Sequence, residues 1–95
     1  MSQAFEWDPE KARLNVRKHG VSFEEATTVF HDPLALFKRD EEHSDTEDRW
    51  HVLGISARER VLVVVTLEPE EDIVRIISAR KATRREVQDY VESQS

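Results

Sequence analysis

"RVLVVVTLEPEEDIVRIISARKATRRE", residues 60–86, decides the fold. The run VLVVV is apolar at every position, the pattern of a strand covered on both faces and therefore central in a sheet; that strand is expected from Arg60 to Leu67. The polar run EPEED breaks it, and apolar residues resume at Ile73, so a second strand, Ile73 to Ala79, should return antiparallel to the first. Thr83 and Glu86 then stand at capping-box spacing, which opens a helix with Val87, Tyr90 and Val91 on its inner face. Towards the N-terminus, "RWHVLGIS" adds a strand from Arg49 to Ser56, and "LALFK" a short one from Leu34 to Lys38.

The front of the chain reads as helical. "FEWDPEKARLNVRKHG" is a short strand, Ala4 to Trp7, followed by a helix in which Asp8 caps, Pro9 takes the first position and Gly20 closes the end. Ala12, Val16 and His19 share one face of it, while Arg17 and Lys18 sit in the last turn, where the helix dipole favours cations. "VSFEEATTVFHD" gives a second helix, with Ser22 and Glu25 at capping-box spacing and an inward stripe of Phe23, Ala26, Thr27 and Phe30, ended by Asp32-Pro33. The order β-α-α-β-β-β-β-α describes an α+β domain: an antiparallel sheet, two N-terminal helices and one C-terminal helix. Ninety-five residues suffice for one core and are too few for two, so a single domain over 1–95 is expected.

Composition narrows the function. With 38% apolar and 36% charged residues the chain should fold with a heavily charged surface. It has no cysteine, which excludes disulfide and thiol chemistry, and no apolar run of membrane-spanning length, so a cytoplasmic protein is expected. Net charge is −6, yet residues 49–95 are balanced and Arg75, Arg80, Lys81, Arg84 and Arg85 fall within twelve positions. Six of the acids fall between Asp40 and Asp48, a stretch without periodicity that reads as a loop. Binding of an anion depends on the local field rather than the sum, so a polyanionic ligand fits the basic stretch.

"FEWDPEKARLNVRKHGVSFEEATTVFHDPLAL", "HSDTEDRWHVLGIS" and "RIISARKATRREVQDY" together resemble, in order and spacing, the BrnT toxins of type II toxin–antitoxin systems. "KHGVSF" and "RIISAR" are the most specific pieces. The resemblance implies a fold like that of RelE toxins, ribonuclease activity that arrests translation and growth, and a neutralising ribbon-helix-helix (BrnA-like) antitoxin. It also implies a 2:2 complex that contacts DNA only through the antitoxin. The sequence departs from the family at Glu59, where relatives usually have glycine in the turn after "GIS". Either Glu59 takes a strained positive φ or the turn type differs, and the second is expected.

The residues also suggest a chemistry. RNA can be cleaved without metal or cofactor when its own 2′-hydroxyl attacks the adjacent phosphate; the protein then supplies a base, an acid, and cations around the phosphorane. Arg80 can fork two donors onto phosphate oxygens beside the amino end of the last helix. Arg75 stands at odd spacing from it and should point to the opposite face. His19 and Lys18 end the first helix, and His51 shares a face with Arg49; either histidine can serve as base or acid. Glu47, which matches the family pattern, can orient a histidine or take the proton itself. Arg75, Arg84 and Arg85 are candidates for contact with RNA or antitoxin.

Plainer readings compete with each of these. His19 continues an apolar stripe and fits a half-buried structural histidine; Lys18 can simply complement the dipole; Arg84 and Arg85 can be solvated or paired with Asp89. Asp40, Glu42, His43 and Asp45 have metal-ligand chemistry, but such spacing arises easily in a charged loop, and no metal is expected. The functional alternative is a non-catalytic binding module that docks an acidic partner or nucleic acid on the same basic stretch.

Overall fold

The computed structural model describes residues 4–43 and 48–94. The strand read from VLVVV is central: β4 (Val61–Glu70) lies antiparallel to β3 (Asp48–Ile55) on one side and to β5 (Ile73–Lys81) on the other. β2 (Leu36–Arg39) closes one edge antiparallel to β3. β1 (Ala4–Glu6) closes the other edge and runs parallel to β5, giving the order β1-β5-β4-β3-β2. The α+β architecture follows the reading, with a mixed sheet rather than a purely antiparallel one. No hairpin ties β1 to β5, so nothing local imposes an antiparallel pairing on it.

One face of the sheet is sealed by α2 (Phe23–Thr28) and the 3₁₀ turn Val29–His31. Val21, Phe23, Ala26 and Val29 pack there on Val52, Leu62, Val64, Ile76 and Ala79. Full burial of side chains of this size contributes about 1.5–3 kcal/mol each. The approach is close at Gly54, where a Cβ would meet Val29 Cγ1 at 2.9 Å and Ala35 Cβ at 3.0 Å. Ser22 caps α2 by accepting from the Glu25 backbone, but Glu25 does not return the bond. It turns inward instead, accepting from Ser56 Oγ at 2.7 Å and Arg60 Nε at 3.0 Å. Arg60's hydrogen bond is the main cause that holds this buried carboxyl below its ordinary pKa. The expected capping box at α2 is therefore absent, because a buried carboxylate satisfied by an arginine is worth more than a second cap bond.

Helix α1 (Pro9–His19) begins and ends as read: Asp8 accepts from the Glu10 backbone at 2.8 Å and Gly20 leaves the helix at φ 70°. Its inward face differs. Val16 is 47% exposed, and the buried position belongs to Asn15. The reason lies in what α1 covers, the rim of β5 beyond the three-residue β1. Asn15 Nδ2 donates to Ala79 O and Val21 O, each at 2.8 Å, and its Oδ1 accepts from Ala79 N at 3.2 Å. An unpaired strand rim needs hydrogen-bond partners more than apolar cover, and an amide supplies both kinds.

The last helix, α3 (Arg84–Glu92), lies over the opposite face. It opens with the expected capping box between Thr83 and Glu86. Tyr90 is buried and its hydroxyl donates to Asp32, which also accepts from the Leu34 and Ile55 backbones. This polar anchor sets the roll of α3 and turns Val91 outward, 59% exposed, against the expectation that it packs inside.

Of two backbone irregularities, the second bears on function. In the β3–β4 turn, Ser56 N donates to Arg60 O and Glu59 N to Ser56 O, each at 2.8 Å, and Glu59 has φ 61°. The turn keeps the left-handed demand of a three-residue hairpin loop, so Glu59 carries strain of about 1–2 kcal/mol and the expected change of turn type does not occur. In the β4–β5 ladder, Val65 faces Ser78 while Thr66 faces Ile76, which leaves Ile77 as an extra residue in a bulge. Arg75 therefore lies opposite Leu67 and Arg80 opposite Val63, four residues apart on β4, and the two arginines share a face. The expectation that they diverge assumed an unbroken strand; one inserted residue reverses side-chain parity beyond it.

Candidate active site

Register places the candidate residues in rows across the face turned away from α2. One row runs Arg49, Leu67, Arg75, the next Lys38, His51, Val65, Ser78, and a third Leu36, Leu53, Val63, Arg80. Adjacent strands are about 4.8 Å apart and alternate residues along a strand about 6.8 Å. His51 therefore lies between the rows of Arg49 and Arg80, one alternate-residue step from each.

The end of α1 meets this face at the bulge. Lys18, exposed, and His19, half-buried, line a seam with Asn15, Ile77 and Ser78. Ser78 begins the row that reaches His51 two strands away, about 10 Å across. Gly20 and the amide of Asn15 fix the end of the helix against β5, so Lys18 and His19 are held at this border by backbone geometry.

Two arginines on the face, Arg75 and Arg80, are paired with carboxylates. Arg80 forks onto Glu86, Nη1 to Oε1 at 2.7 Å and Nη2 to Oε2 at 3.0 Å. Arg80's hydrogen bonds, helped by the Thr83 backbone N–H, push Glu86 down to about 2. The guanidinium side chain is still 40% exposed. Its fork uses the Nη edge and leaves the Nε edge for a second anion. Arg75 Nε donates to Glu6 at 2.6 Å. Arg84 and Arg85 project outward from the first turn of α3, where Arg85 reaches Asp89 at 3.5 Å. The basic stretch is thus divided between the sheet face and the helix surface.

His51 Nε2 lies 3.1 Å from Asp40 Oδ2, and the same carboxylate meets His43 Nδ1 at 3.0 Å. Burial opposes ionisation of Asp40, but hydrogen bonds from His43 and then His51 prevail and hold its pKa below the ordinary carboxylate range. Glu47 and Asp45, which the sequence singled out, lie outside the described residues. Among the described residues no group of three or more His, Asp or Glu side chains converges as a metal site, and no helix is long and apolar enough to cross a membrane.

Sequence reasoning missed the carboxylates that complete this face. Glu86 read only as a cap for Thr83, and its second partner, Arg80, lies across the strand–helix junction, where no periodic rule applies. Glu6 required the parallel β1–β5 register. Asp40 reads from sequence as a loop acid with metal-ligand chemistry, although its place just after β2, where its N–H donates to the Arg49 carbonyl at 2.7 Å, sets it beside His51.

Arginine forks and a histidine on one open sheet face, bordered by a cationic helix end, form a surface suited to phosphodiesters. The fold is similar to that of the crystal structure of the Brucella abortus ribonuclease toxin, BrnT, with a TM-score of 0.65 at 20% identity, covering 87% of this chain and 100% of that one. Residues 7–86 match the family described as ribonuclease toxin, BrnT, of type II toxin–antitoxin system. The chain belongs to this family. No curated protein sequence matches it.

Proposed function

We propose that this protein cleaves RNA without a metal ion, by attack of the substrate's 2′-hydroxyl on the adjacent phosphate, and so arrests translation and growth. The observation that carries the reading is the bulge at Ile77, which brings Arg75 and Arg80 to the face that holds Arg49 and His51. In this mechanism Arg80, through its Nε edge, and Arg49 gather the phosphorane charge, with Arg75 and Lys18 extending the cationic track. His19, at the border of α1, takes the 2′-hydroxyl proton, and His51 protonates the leaving 5′-oxygen. The chain acts as one toxin domain over residues 1–95 in the cytoplasm. Membership of a ribonuclease toxin family favours this over a non-catalytic docking module.

A type II toxin has a cognate antitoxin. Our reading is that a ribbon-helix-helix partner covers Lys18, Arg80, Arg84 and Arg85 with an acidic or extended segment, in a 2:2 assembly whose DNA contacts belong to the partner. Covering the phosphate-binding residues is the direct way to hold the toxin inactive.

The test is cleavage of a mixed-sequence oligoribonucleotide in excess EDTA. Products should carry a 2′,3′-cyclic phosphate and a 5′-hydroxyl, and a deoxyribose at the cut site should block the reaction. Activity lost in EDTA and regained with Mg²⁺ or Mn²⁺ would overturn the mechanism. Co-purified with the antitoxin, the protein should elute as a 2:2 complex and cut nothing; cleavage by the saturated complex would refute occlusion.

A further inference from the structure

Asp40 has a carboxylate in two halves with different tasks. Oδ1 accepts from the backbone of Glu42 at 3.1 Å and of His43 at 3.3 Å, which closes the turn after β2, and also lies 3.2 Å from His43 Nδ1. Oδ2 faces His51 Nε2 at 3.1 Å and His43 Nδ1 at 3.0 Å. The Asp40 side chain is only 14% exposed while that of His51 is 44% exposed, so the carboxylate is sheltered and the ring stays within reach of a substrate. His51 borders two hollows, one with Asp40, Arg39 and His43, the other with Lys38, Val63 and Glu86. The second opens towards the Arg80–Glu86 pair.

An ionised carboxylate accepts hydrogen bonds and donates none, so the ring nitrogen that faces it must carry the proton. For His51 that nitrogen is Nε2. The neutral ring is then the Nε2–H tautomer, and Nδ1 is the atom left to exchange a proton with a substrate. We infer that Asp40 is a positioning residue for the proposed cleavage, fixing the tautomer and orientation of His51 so that Nδ1 works at the scissile phosphate; this rests on the 2′-hydroxyl mechanism proposed above. As the 2′-oxygen–phosphorus bond forms, the 2′-hydroxyl proton passes to His19. As the phosphorus–5′-oxygen bond breaks, the proton on His51 Nδ1 passes to the 5′-oxygen. The imidazole is left neutral, its Nε2–H still held by Asp40. Neighbouring charges on Lys38, Arg39, Arg49, Glu86 and Asp89 set the field around the ring but do not choose the nitrogen, because the group within hydrogen-bond distance of Nε2 is the Asp40 carboxylate.

Asp40→Asn separates the two tasks. Asparagine keeps the Oδ1 acceptor that closes the turn, and replaces Oδ2 by an NH₂ group that must find an acceptor, so His51 Nε2 loses its proton and the tautomer switches. Nitrogen-15 NMR of the ring should show the Nε2–H form in the parent protein and the Nδ1–H form, or a mixture, in Asp40→Asn. His43→Gln removes the signals of the other ring that meets Asp40, and should leave cleavage within about twofold. On a mixed-sequence oligoribonucleotide, Asp40→Asn should lower kcat about tenfold to a hundredfold with KM moving less than about threefold, the pattern of a mispositioned proton donor. Asp40→Glu should recover part of the loss. In a His51→Ala background the Asp40→Asn change should cost less than about twofold. An unchanged tautomer, or full loss added on top of His51→Ala, overturns the inference. If the parent protein cuts no RNA, the proposed function fails, while the tautomer measurement still decides whether Asp40 governs His51.

Discussion

Beneath α2, the residues Val52, Leu62, Val64, Ile76 and Ala79 are closed off from solvent, whereas the same strands present Arg49, His51, Arg75 and Arg80 on their other face, each partly open. Two neighbours on one strand thus serve different ends. Ile76 and Ala79 are three residues apart and both inward; Arg75 and Arg80 are five apart and both outward. A regular strand permits neither. The bulge permits both at once, so packing and charge placement depend on a single inserted residue, and the sheet teaches that core and site need not be separate regions to be separable by mutation.

The comparison breaks most sharply if an inward residue is removed. Phe23→Ala, at a side chain with no solvent exposure, should lower stability by about 3–5 kcal/mol in chemical denaturation and should take activity with it only through unfolding. Arg80→Ala tests the other face. It should raise the activation barrier by about 3 kcal/mol, a hundredfold or more in rate, while stability falls by no more than about 2 kcal/mol through the lost pairing with Glu86. A folded Arg80→Ala protein that cuts at the parental rate would remove Arg80 from the mechanism.

A smaller effect sharpens the contrast. Glu86 is lowered from 4.5 to about 2, so it contributes stability above its unfolded value that is lost as pH falls from 4.5 towards 2. With the guanidinium 40% exposed, screening reduces this to about 1–2 kcal/mol. Acid titration of Glu86→Gln should lack that segment of the stability curve. The smallest effect belongs to Glu59→Gly, which relieves the left-handed residue in the β3–β4 turn. It should gain about 0.5–1 kcal/mol after the added flexibility of the unfolded chain, and leave cleavage unchanged.

Local signals in the sequence located most elements. Asp8, Pro9 and Gly20 bound α1, Thr83 and Glu86 opened α3, and VLVVV identified the central strand, because each acts within a few residues. Relations across the sheet were hidden. The parity of Arg75 and Arg80 depends on a bulge whose trace, two small-spaced apolar residues in "IISA", is also what a continuous strand looks like. The buried roles of Asn15 and Glu25 came from partners 64 and 35 residues away, Ala79 and Arg60. At the site, cations were legible as a cluster, but the carboxylates that orient them were not, since Glu6, Asp40 and Glu86 become partners only once strands and helix are assembled.

Asn15 also bears on how the molecule avoids its own kind. A strand rim left open recruits strands from other molecules and grows into aggregates. Among the described residues β1 shields β5 from Ile73 to Arg75, and beyond it the Asn15 amide occupies both the N–H and the carbonyl of Ala79, in the place a neighbouring strand would take. The far rim is the four-residue β2, where Lys38 and Arg39 lead into Asp40, Glu41 and Glu42, a charged and short edge on which little can grow. Exchanging Asn15 for an apolar residue would satisfy the helix pattern and reopen that rim, so a change that makes the sequence look more like an ideal amphipathic helix would make the protein more prone to self-associate.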